Sequence, residues 1–219
     1  MRITSRGGKR YVFVIVDDYS RFTWTLFLTS KDESFEKFLI LLKKIEKRVG
    51  HSLVSVRSDH GKEFVNSSFI EYCNECDVDH NFSTPRKPQQ NGVVERKNRT
   101  LEDITRTMLV TSHLPRNFWA EALNTACYVI NRCMISSILN KTPYELFKGQ
   151  KPNTKHLRVF GCKCYVHNNG KKSLEKFDPR SDKAIFLGYS LHSKTYKVFN
   201  KEPCVLRRLC MYCLIRLTP

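Results

Sequence analysis

With 219 residues, the chain can form one good-sized domain or one domain plus a small module. Hydrophobic residues make up 41% and charged residues 27%, and no run approaches the roughly 18 apolar residues of a membrane-spanning helix. The polar start MRITSRGGKR is unlike a signal peptide, so secretion is not expected, while a formal charge of +17 favours a polyanionic partner such as nucleic acid.

YVFVIVDDYS (11–20) and RFTWTLFLTS (21–30) are rich in β-branched and aromatic residues and predict two strands joined by a turn around Ser20. Lys31 to Gly50 reads as an amphipathic helix, with Phe35, Phe38, Leu39, Leu42, Ile45 and Val49 at helical spacing and Gly50 as its stop. LVSVRSDHG (53–61) predicts a short strand running into a polar turn, 66–76 a helix, and VDHNFS (78–83) another strand. TPRKPQQNG (84–92) is a Pro/Gly-rich loop. The helix after it carries Val94, Leu101, Ile104 and Met108 on one face, and a second helix is expected from Asn117 to Met134. These elements make a mixed α/β layer. KTPYELFKGQKPNTK reads as a linker, and HLRVFGCKCYVHN, KAIFLGYS and TYKVFN as short strands of a small barrel.

The positive charge is uneven. Residues 1–147 hold 22 Lys and Arg against 17 Asp and Glu, a net of +5; residues 148–219 hold 16 against 4, a net of +12. The nine Cys read as reduced thiols rather than a disulfide framework. Cys73 and Cys76 have the spacing of half a zinc site, but no second pair follows, so core packing is the expected role there and at Cys162 and Cys164.

Two carboxylates stand out by position. Asp59 ends a strand in SDHGKEF, and Glu95 opens a helix after a Gly-containing loop, with thirty-five residues between them. Carboxylates at a strand end and on a facing helix can converge on divalent cations, which prefer hard oxygen ligands. Two such ions about 4 Å apart can bracket an in-line phosphoryl displacement. The plain alternative is Asp59 capping a turn and Glu95 pairing with Arg99 at i,i+4.

SDHGKEF followed at that spacing by STPRKPQQNGVVERKNRTL resembles the integrase core of retroviruses and copia-type LTR retrotransposons. That family has a [ST]-D-x-G-x-x-F turn and a P-x-x-x-G-x-x-E segment; here Gly92 stands three residues before Glu95. NFWAEALNTACYVINR, KTPYELFKGQKPNTKHLRVFGCKCYVH and KAIFLGYS look like the stretches that follow the core in copia-type Pol polyproteins. The resemblance implies an RNase H-like mixed sheet with helices over 1–140, a linker at 141–152, an SH3-like β module at 153–202 and a divergent tail at 203–219. It implies a polynucleotidyl transferase dependent on Mg²⁺ (or Mn²⁺) that joins element DNA ends to target DNA, acts in the nucleus and assembles as a homo-oligomer. Asp59 and Glu95 would be catalytic metal ligands, and Lys62, Arg86, Lys87, Asn91, Lys97 and Arg99 would contact DNA, mostly at phosphate.

The sequence departs from the family at both ends. The family's set is Asp, Asp, Glu, and its first Asp lies on the first, central strand, upstream of GGKRYVFVIVDDYSR; no Asp precedes Asp17 here. The expectation is an N-terminally truncated core that lacks this strand, with weakened metal binding and impaired or absent catalysis. Asp17 and Asp18 belong to the next strand and its turn, where turn formation or pairing with Arg21 is their expected role. No upstream His/Cys zinc module is expected. KEPCVLRRLCMYCLIRLTP lacks the acidic, strand-like continuation of the family, as a one-nucleotide frameshift would produce. The alternatives are a noncatalytic nucleic-acid-binding remnant and a pseudogene product without function.

Overall fold

The computed structural model describes residues 3–58, 67–82, 92–167, 177, 180–190 and 195–200, and the backbone alone of 206–210. Two compact units are formed: Met1–Val16 with Trp24–Thr100, and Asp17–Thr23 with Leu101–Pro219.

In the first unit, β1 (Tyr11–Val16) and β2 (Thr23–Leu28) pair as a hairpin, closed at its open end by the Arg10 N–H donating to the Leu28 carbonyl at 2.9 Å. A 3-10 turn, Lys31–Glu33, leads into α1 (Ser34–Val49). The helix stops at Gly50, whose φ of +79° suits a residue without Cβ and whose N–H donates to Glu46 O at 2.8 Å. Next come β3 (Ser55–Ser58), α2 (Ser67–Glu75) and β4 (Asp79–Phe82). Strands β3 and β4 are parallel, with Ser55 opposite Asp79 and Ser58 opposite Phe82.

One apolar cluster holds this unit. Phe38 and Leu42 of α1 meet Phe69 and Cys73 of α2, with Val78 beneath, and Phe13, Ile15 and Val56 of the strands pack on them. The hairpin and the β3–β4 pair form separate two-stranded sheets among the described residues, so β1 and β3 share helices but not a ladder. All six residues of β1, YVFVIV, are only half-buried although the run is continuously apolar.

Helix α3 (Gly92–Thr111) begins in the first unit and ends in the second. The second unit adds α4 (Trp119–Cys133), α5 (Pro143–Lys148) and an antiparallel sheet in the order β5-β6-β7-β8, from Lys163–His167, Ser181–Tyr189, Thr195–Asn200 and Leu206–Cys210. Helix α4 packs directly on β6. Ala122 and Ala126 are fully buried, and the Thr125 hydroxyl donates to Leu187 O at 2.8 Å. Gly188 lies at a bulge with φ +135°, where a Cβ would stand 2.1 Å from Thr125 Oγ1. Gly161, at φ +82°, meets Ser112 as closely, at 2.2 Å from its Cβ. The 17–23 turn is fastened to α4 as well: Thr23 N–H donates to Asn131 Oδ1 at 2.9 Å and Asn131 Nδ2 returns a bond to Thr23 O at 2.8 Å.

Two expectations need correction. Residues 141–152, read as a linker, contain α5, because Thr142 and Glu145 make a reciprocal capping box, Pro143 opens the helix and Gly149 ends it. The tail, expected to lack a strand, supplies β8, which pairs with β7 from Phe199–Leu206 to Thr195–Cys210. Ladder bonds use only backbone groups, so an edge strand forms without the acidic pattern. The resulting order of four strands is open rather than a closed barrel among the described residues.

Gly188→Ala and Gly161→Ala should each cost about 2 kcal/mol or more, the scale of overpacking combined with strained φ. A fall in the denaturant midpoint at unchanged slope checks this.

Candidate active site

Glu95 lies in the first turn of α3, on an exposed position flanked by Arg96, also exposed, and the half-buried Lys97. Gly92 opens the helix, and the Arg96 guanidinium curls back to within 4.0 Å of where a Cβ on Gly92 would stand. Leu101 and Thr105 bury the following turns, Thr105 donating to Leu101 O at 2.6 Å. The carboxylate of Glu95 makes no ion pair or hydrogen bond among the described residues, so the expected alternative of an i,i+4 pair with the exposed Arg99 is not formed. Its position near the helix N-terminus favours negative charge through the unpaired N–H groups there.

Ser58 is the last residue of β3 and is buried, with its hydroxyl 2.9 Å from His80 Nε2 on β4. The His80 ring meets those of Phe69 and Phe82 at tilted angles, with centroid distances of 4.8 and 4.0 Å. Ser58 stands at the carboxyl end of a parallel strand pair, which is where open α/β sheets place their sites, and Asp59 is the next residue in the sequence. Asp59, Lys62, Arg86, Lys87 and Asn91 lie outside the described residues, so of the sequence-derived set the structure places Glu95, Lys97 and Arg99.

Other candidates resolve into structure. Asp17 Oδ2 accepts from the Ser20 N–H at 2.8 Å and from the Ser20 hydroxyl, and Asp18 pairs with Arg21; both expected roles are met. Cys73 is buried in the cluster around Phe69, and burial pushes its thiol up from the ordinary value. Cys164 is buried too, its thiol pushed up to about 12 by burial, and neither is poised as a thiolate ligand. Six of the cysteines are free. Among the described residues no three His, Cys, Asp or Glu side chains gather into a metal cluster, and no helix is long and apolar enough to cross a membrane.

The integrase core domain family matches residues 1–88, and the retroviral polymerase SH3-like domain family matches residues 162–204. The retrovirus-related Pol polyprotein from transposon TNT 1-94 of Nicotiana tabacum is 36% identical over 200 residues, 91% of this chain and 15% of the relative. The Pol polyprotein from transposon RE1 of Arabidopsis thaliana is 34% identical over 194 residues, 89% of this chain and 13% of the relative. The chain belongs to the retrotransposon integrase family. It spans only about a seventh of the length of these polyproteins.

The integrase core is visible in the fold. A chain of the simian T-cell lymphotropic virus intasome in complex with PP2A regulatory subunit B56 gamma aligns with TM-score 0.54 at 16% identity, covering 99% of this chain and 76% of that one. The HTLV-2 integrase catalytic core domain in complex with magnesium, in its trimeric form, aligns with TM-score 0.50 at 21% identity, covering 66% and 89% respectively.

Burial lowers the imidazole pKa of His80 beside the strand end, since the charged form loses solvation. The unfolded integrase chain then binds the proton first, so stability is full above about pH 6.5 and declines as pH falls toward the folded value. Burial and the cations Arg132 and Arg158 lower His156 in the same sense. The denaturant midpoint should therefore be lower at about pH 5.5 than at about pH 7.5, with a smaller difference in a His80→Gln, His156→Gln variant.

Proposed function

We propose that the chain handles DNA as a retrotransposon integrase does, with Glu95 and Asp59 as two carboxylate ligands for Mg²⁺ or Mn²⁺ and a basic surface that holds the nucleic acid. The single observation that carries this is Glu95: a solvent-facing carboxylate without an ion pair among the described residues, in the first turn of α3 and followed by Arg96, Lys97 and Arg99. An uncommitted hard oxygen donor fits a divalent cation, which the similar HTLV-2 core is in complex with.

The bound cation would neutralise charge developing on the phosphoryl oxygens. The reaction itself is an in-line displacement. A water or 3′-hydroxyl oxygen bonds to phosphorus as the bond to the leaving 3′-oxygen breaks; the attacker loses a proton, the leaving oxygen gains one, and nothing is oxidised or reduced. Lys97 and Arg99 on the same helix face phosphate, as do Lys62, Arg86, Lys87 and Asn91 of the preceding loops by family resemblance. The partners of the chain are element ends and target DNA, its assembly is homo-oligomeric, as the trimeric HTLV-2 core suggests, and its place of action is the nucleus.

A second reading, a DNA binder without catalysis, is favoured by the concentration of net charge +12 in residues 148–219. The two separate in one experiment, strand transfer and DNA binding measured on the same preparation. The expected result is metal-dependent joining that Glu95→Gln and Asp59→Asn each lower by at least about 100-fold, since even outer partners of a metal are worth ~10–100-fold. DNA affinity should be untouched by either change and should drop by about 10³ between 50 and 200 mM salt, as for six phosphate contacts. Binding of this kind with no joining selects the second reading, and salt-independent binding overturns both.

A further inference from the structure

An apolar groove of about 700 Å³ runs along α3 in the second unit. Its walls are Ile104 and Met108 of α3, Val129 of α4, and Leu157, Arg158 and Val159 of the strip before β5. Val159 is 73% exposed at its rim. A lone exposed valine is ordinary, but a continuous apolar trough between two helices and a strip of chain is a docking surface. Thr107 and Thr111 of α3 and Arg158 interrupt it with polar groups. The Arg158 N–H donates to the Tyr189 hydroxyl at 2.8 Å, and its Nη1 donates to Leu157 O at 2.7 Å and Lys155 O at 3.0 Å. These bonds fix the guanidinium, yet its Nε is buried with no hydrogen-bond partner among the described residues. That nitrogen is closed to solvent, so a docking carboxylate meets the terminal nitrogens of the guanidinium instead.

We propose that this groove binds an acidic amphipathic helix of a partner protein, its large apolar side chains in the trough and one carboxylate on the terminal nitrogens of the Arg158 guanidinium. The shape favours a helix: the stripe from Ile104 to Thr111 rises about 10 Å, which matches two turns presenting side chains at i, i+3, i+4 and i+7. The charge favours an acidic one, because the chain carries +17. Nucleic acid fits the trough poorly, since it needs a row of cations and finds one guanidinium among apolar walls. Arginine held in an apolar surround is also the commonest kind of interface anchor. The inference does not rest on the roles of Asp59 and Glu95.

The test uses the full chain and a set of fluorescein-labelled helices of about 16 residues, with Leu or Phe at i, i+3, i+4 and i+7 and Glu at the flanking positions, beside counterparts with Lys for Glu. Anisotropy reads affinity, and the ¹³C-methyl signal of Met108 reads location, with the 45% exposed Met134 as control. Acidic helices should bind at least about tenfold more tightly than the Lys counterparts and shift Met108 but not Met134. Val159→Asp, at an exposed site that tolerates charge, places a carboxylate beside Arg158 and should weaken binding at least about tenfold with DNA affinity unchanged. Thr111→Trp, also at an exposed position, should do the same by filling the end of the trough. The proposal is overturned if no acidic helix binds, if Lys helices bind equally, if both variants bind as well as the parent chain, or if double-stranded DNA rather than the helices shifts Met108.

Discussion

Helix α4 lies against the backbone of β6 because nothing larger than hydrogen stands at Gly188. Ala122 and Ala126 on that helix are fully buried, and Thr125 uses its hydroxyl to satisfy the Leu187 carbonyl at the bulge. This close approach makes one body of α4 and the C-terminal sheet. Phe118, Phe160, Leu187 and Phe199 close one side of it, and Tyr128, Phe186, Tyr189 and Tyr196 the other. Each large side chain so buried is worth about 1.5–3 kcal/mol, so the sheet's stability depends on helices that precede it in the chain. The matched SH3-like stretch therefore shares its core with α4 instead of standing on a separate one.

The first unit has the opposite economy. Its helices are well packed around Phe69, but its strands come in two unjoined pairs among the described residues. A lone two-stranded sheet is marginal in water, so side-chain burial on α1 and α2 has to carry what a continuous ladder would otherwise share. Strand β1 shows the consequence: an unbroken apolar run left half-buried throughout.

The same contrast shapes the chemistry. The Asp17 and Asp18 carboxylates are consumed by their own turn, and Asp103 is taken up by Arg106, whereas Glu95 faces solvent uncommitted. Position along a helix, rather than residue type, makes the difference: Glu95 sits where the helix start favours an anion. Arg158 is the mirror case, a cation whose surroundings satisfy part of its donor set and leave a donor over.

Much was legible in the residues alone. The hairpin, α1, α2, α3 and α4 follow from local periodicity and from stops such as Gly50, and the family follows from the spacing of SDHGKEF and PQQNGVVE, because local backbone preference and motif spacing are properties of the linear chain. The reading of 141–152 as a linker missed α5, although Thr142, Pro143, Glu145 and Gly149 spell a helix start and stop; the run is shorter than the window in which periodicity shows. What only the tertiary structure decided depends on groups distant in sequence. The β8 strand exists through the edge that β7 offers, the need for glycine at 188 comes from Thr125 on another element, and the freedom of Glu95 is a matter of which partners fail to reach it. Contacts across long sequence separations are set by packing, and no local pattern encodes which side chain will be left over.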